Sequence, residues 1–67
     1  MKKSLYDRAL NTVLHSRFVA RAEDLKRPLT DEETRREIIY QLEDLPYKGL
    51  EDETVKTARR QLRALLK

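Results

Sequence analysis

The chain has 67 residues, no cysteine, and a formal net charge of +3 although 40% of its residues are charged. A chain this short makes one domain, residues 1–67, and buries only about 60% of the surface it exposes when unfolded. Without cysteine it has neither a disulfide framework nor a thiolate metal site, which points to a reducing, cytoplasmic setting.

Three helices are expected in chain order. Ser4 followed by Asp7 resembles a capping box, and Leu5, Tyr6, Ala9, Leu10, Val13, Leu14, Phe18 and Leu25 recur at helical spacing, so the first helix should run from about 4 to 26. Arg17 and Arg21 fall within its apolar stripe. Their stems can lie on the edge of the core while the guanidinium groups reach outward, or they can contact an anion or a partner. Pro28 ends this segment, because proline inside a helix removes a hydrogen bond.

Thr30 with Glu33 three residues on forms a capping box, and Asp31, Glu32 and Glu33 place negative charge at a helix start. The second helix should therefore span about 31–45, burying Ile38, Leu42 and Leu45 with Ile39 at the edge and Tyr40 on the opposite side. Pro46-Tyr47-Lys48-Gly49 holds the second proline and the only glycine, and reads as a turn. A third helix of about 51–66 follows, with Val55, Ala58, Leu62, Leu65 and Leu66 as its apolar seam, acids in its first turn and basic residues in its last. No strand-type alternation occurs, so the fold class is all-α, a small three-helix domain. So small a chain gains from self-association, and a homodimer is expected. No apolar run approaches the roughly 18 residues that span a bilayer, so no membrane association is expected.

Little in the sequence could carry catalysis. His15, the only histidine, falls opposite the apolar face, and the carboxylates of the helix starts are accounted for by capping and dipole effects. One glycine cannot make a phosphate-cradling loop. No enzymatic activity, small-molecule substrate, metal or cofactor is expected.

The most informative pattern lies on the third helix. At about 100° per residue, Arg59, Arg63, Lys56, Lys67 and Arg60 fall on one arc beside the apolar seam, and no acid follows Glu53. Such a face suits a row of phosphates, whose neutralisation releases counterions. It could equally be a solvated surface paired with acids of the second helix, such as Glu37, Glu43 or Asp44.

The run from Glu53 to Leu66, with Thr54-Val55-Lys56-Thr57 followed by basic residues alternating with leucines, resembles the recognition helix of LuxR/GerE-type helix-turn-helix regulators. The corresponding helix of sigma-factor region 4 is similar. Leu29-Thr30-Asp31-Glu32-Glu33 is similar to the opening of the first helix of the LuxR-type domain. The resemblance implies that Thr54, Lys56, Thr57 and Arg60 face DNA while Val55 and Leu62 pack. Those families place a scaffold helix before the recognition helix, and the six residues Leu45 to Leu50, with a proline among them, leave no room for it.

Two functions follow as expectations. The first is a small non-enzymatic regulatory protein of bacterial or phage type that binds DNA through Thr54, Lys56, Thr57, Arg59, Arg60, Arg63 and Lys67. The second is a protein-interaction module, an inhibitor, antitoxin-like partner or adaptor, that uses Tyr40, Arg17, Arg21 and Phe18, because aromatics and arginine dominate interface hot spots.

Overall fold

The computed structural model describes residues 3–67, which form helices and no strand among the described residues. There are four helices: α1 (Leu5–Ala9), α2 (His15–Leu25), α3 (Asp31–Asp44) and α4 (Asp52–Leu65). The all-α class holds, but the expected first helix of about 4–26 is two helices separated by residues 10–14.

The register of the core explains the break. Leu5 and Ala9 are buried in α1, and the next buried apolar residues are Leu14, Phe18 and Ala22. In one continuous helix the step from Ala9 to Leu14 is about 140°, which would turn Phe18 and Ala22 away from the face that Leu5 and Ala9 bury. Interrupting the helix lets both faces meet one core. The interruption is a series of tight turns, with the N–H groups of Asn11, Thr12 and His15 donating three residues back to Arg8, Ala9 and Thr12. The buried Thr12 hydroxyl also donates to the Ala9 carbonyl at 2.7 Å. Such local bonds are how threonine competes with helix propagation.

Each helix end has its own chemistry. Ser4 Oγ accepts from the Asp7 N–H at 3.1 Å, and Asp31 Oδ1, at the start of α3, accepts from the Leu5 N–H at 3.0 Å. One carboxylate thereby joins the N-termini of α1 and α3. Helix α2 ends on Lys26, whose φ of 58° is left-handed. The Arg27 N–H donates to the Ala22 carbonyl and the Lys26 N–H to that of Glu23, which is a Schellman closure.

The expected capping box of α3 is present in both directions: Thr30 Oγ1 accepts from the Glu33 N–H at 3.2 Å, and Glu33 Oε1 accepts from the Thr30 N–H at 2.9 Å. Arg27 also grips both oxygens of Glu33 at 2.7 Å. The Arg27 guanidinium, followed by the Thr30 backbone N–H, holds the Glu33 carboxyl well below the usual range, at about 2. After Leu45, the chain turns through Pro46 to Gly49, whose φ of 96° suits a turn closed by the Leu50 N–H on the Tyr47 carbonyl. No helix lies between α3 and α4.

Although it is only five residues long, α1 touches all three other helices, and α3 also packs on α4. The core gathers Leu5, Ala9, Leu14, Phe18, Ala22, Leu29, Ile38, Leu45, Ala58 and Leu62 into one cluster. Phe18, Ile38 and Leu62 are fully enclosed. Leu42, expected in the core, is half-buried, and Gln41 is buried in its stead. Its amide nitrogen donates to Glu37 Oε2 at 2.7 Å. Among the described residues, no helix is long and apolar enough to cross a membrane.

Candidate nucleic-acid interface

Helix α4 has two faces. Val55, Ala58 and Leu62 are buried, while Lys56, Arg60, Arg63 and Lys67 are exposed and Arg59 is half-buried on the boundary. Lys56, Arg59, Arg60, Arg63 and Lys67 together line a shallow groove of about 460 Å³, with Ala64 as its only uncharged wall. The five expected cations are therefore brought to one place.

The partners of these cations tell whether acids of α3 neutralise the face. The ion pairs among the described residues are Arg21–Glu37, Arg27–Glu33 and Arg36–Glu32, all on α2, α3 and their connector. None involves α4. Even Lys56, four residues on from Asp52, makes no ion pair, and Glu43 and Asp44 do not reach across from α3. The expected alternative, a face neutralised by acids of α3, is not what forms. Glu37 is engaged with Arg21 at 3.9 Å and with Gln41. The basic groove keeps its charge.

No protein-family model, curated protein or solved structure matches this chain.

Thr54 and Thr57 stand apart from the basic groove. They are half-buried, and at about 100° per residue Thr57 lies about 60° and Thr54 about 120° from Arg60, on the flank that carries Gln61. That flank packs on the body of the protein, where Gln61 Oε1 accepts from the Val13 N–H at 2.8 Å. Gln61 was not singled out by its sequence, since a lone glutamine on a helix gives no sign of a partner 48 residues away.

The residues expected to anchor a protein partner are dispersed. Phe18 is fully buried in the core and cannot be a surface anchor, which corrects its assignment to a binding face. It lies with Ala22 on the face that α2 turns to the core, as its place in the apolar stripe requires. The Arg17 guanidinium lies 3.9 Å from the centroid of the Tyr47 ring, a cation–π contact of about 0.5–1 kcal/mol at an exposed site. Arg21 reaches Glu37. Both arginines thus keep their heads on neighbouring elements.

Tyr40 is 61% exposed and lines a separate cleft of about 490 Å³ with Arg21, Leu25, Glu33, Arg36 and Glu37. His15 is exposed at the start of α2, with Nδ1 3.1 Å from the Thr12 carbonyl. Among the described residues, no group of three or more histidine and carboxylate side chains is placed to hold a metal ion.

Proposed function

We propose that this chain is a small, non-enzymatic regulatory protein of bacterial or phage type that binds DNA through the basic face of α4. One observation carries the reading: Lys56, Arg59, Arg60, Arg63 and Lys67 line a common groove, and none of them is in an ion pair among the described residues. Crowded cations without counter-charges repel one another, and a row of phosphates relieves that repulsion while shedding its own condensed counterions.

The test is binding of a random-sequence DNA duplex by the full chain at two salt concentrations, repeated with Arg60→Gln/Arg63→Gln. The double variant should fold like the parent, because surface changes of this kind seldom exceed about 0.5 kcal/mol. Its affinity should fall, and the magnitude of its salt slope should drop by about 1 for each phosphate that is no longer neutralised. Unchanged affinity with an unchanged slope would remove α4 as the DNA-contacting element. A homodimer belongs to this proposal, since a small chain gains by burying apolar surface such as the exposed Val13, Ile39 and Leu66. A single-chain mass across the binding range would remove the dimer alone.

Exposed Tyr40, in a cleft away from α4, favours a second reading as a protein-interaction module. There Tyr40→Ala should weaken partner binding more than the α4 double variant does.

A further inference from the structure

We infer that α4 reads double-stranded DNA through its phosphates alone, without sequence preference. The inference rests on the DNA-binding reading above and narrows it to one mode of contact.

Three observations lead to it. The first is the distribution of charge along the helix. A recognition helix brings its N-terminal residues to the base edges. Here the N-terminal end carries Glu51, Asp52 and Glu53, and the cations begin only at Lys56. Entering a groove by that end would press three carboxylates against phosphates. The helix instead offers its side and C-terminal half, where charge meets the strand without reaching into the groove.

The second observation is what the basic groove lacks. Base edges are read by amides and hydroxyls, or by an arginine fork held in a fixed orientation. Thr54, Thr57 and Gln61 lie on the other flank, and Gln61 is already bonded to Val13. Among the described residues, Arg59, Arg60 and Arg63 make no side-chain hydrogen bond to the protein, in contrast to Arg27 and Arg36, which are held by carboxylates. Guanidinium groups that nothing orients act as positive charges and not as guanine-selective forks.

The third observation separates duplex from single strand. Proteins that hold single strands combine a basic track with aromatic rings on which bases stack. No aromatic ring lines the groove of α4. Phe18 is in the core, Tyr6 packs against it, Tyr47 lies under Arg17, and Tyr40 belongs to the cleft between α2 and α3.

The experiment uses the full chain and fluorescently labelled DNA of one length: a G·C-rich duplex, an A·T-rich duplex, a mixed duplex and a mixed single strand. Dissociation constants for the three duplexes should agree within about threefold, and the single strand should bind about tenfold or more weakly. With at most five phosphates neutralised, the salt slope should not exceed about 4.5 in magnitude, a weakening of up to about 500-fold between about 50 and 200 mM salt. An Arg59→Lys/Arg60→Lys/Arg63→Lys variant keeps the charge and removes the fork, and should bind within about threefold of the parent.

A duplex preferred by about tenfold or more, a single strand bound as tightly as the duplexes, or a tenfold weakening in the lysine variant would overturn phosphate-only reading and leave DNA binding standing. Absence of binding to all four DNAs at low salt would overturn the DNA-binding reading itself, and this inference with it.

Discussion

Replacing Gln61 by methionine isolates the one side-chain bond that ties α4 to the break between α1 and α2. Methionine matches glutamine in length and in helix propensity, so the substitution removes the acceptor oxygen and little else. In the parent, Gln61 Oε1 accepts from the Val13 N–H at 2.8 Å. Val13 is 42% exposed, so water can reach the freed N–H and the full penalty of a buried, unpaired donor does not apply. The destabilisation should therefore be the net value of one hydrogen bond, about 1 kcal/mol.

In a domain of this size that corresponds to a fall in Tm of about 4–8 °C. Thermal melts followed by circular dichroism give the stability change, and amide hydrogen exchange gives its location. The Val13 N–H should exchange faster in Gln61→Met, while the amides of α3 should slow or quicken only with global stability. A Tm within about 1 °C of the parent, together with unchanged Val13 exchange, would show that the loop is held by its own turns and that the bond contributes nothing. The variant should also bind DNA as the parent does, because Gln61 lies off the basic groove.

Two further outcomes test the core and the helix starts. Phe18→Ala should cost about 3–5 kcal/mol, about a third or more of the roughly 3–10 kcal/mol total stability of a 67-residue domain, so urea titration followed by circular dichroism should show either a loss of that size or an unfolded variant. A loss below about 1 kcal/mol would mean that Phe18 is not enclosed. Because Glu33 is held down to about 2, its contribution is complete above the ordinary carboxylate range and is lost as pH falls from about 4.5 through about 2. Tm measured over that window should fall more steeply for the parent than for Glu33→Gln, and parallel curves would show that the Arg27–Glu33 pair does not act on stability.

Local chemistry was legible in the sequence wherever a few adjacent residues decide the outcome. Thr30 and Glu33 specified the start of α3 because both halves of a capping box lie within one turn. Pro46 and Gly49 marked the connector, since one cannot continue a helix and the other accepts a positive φ. The buried seam of Val55, Ala58 and Leu62, and the cationic arc beside it, followed from a period of 3.6 residues on a single uninterrupted helix, whereas Leu65, expected in that seam, is half-buried and Leu66 is exposed.

The first 26 residues were different, because their apolar positions fit one long helix nearly as well as two short ones. Periodicity counts apolar residues without knowing which of them meet. Only the core, where Leu5 and Ala9 must face the same interior as Phe18 and Ala22, made the five-residue step from Ala9 to Leu14 a break. The same limit applied to contacts between distant residues. Whether the α4 cations were neutralised by acids of α3 depended on how the two helices crossed, and so did the bond from Gln61 to Val13. Charge type and helical position are properties of the chain, whereas the distance between a lysine on one helix and a carboxylate on another exists only once the helices are packed.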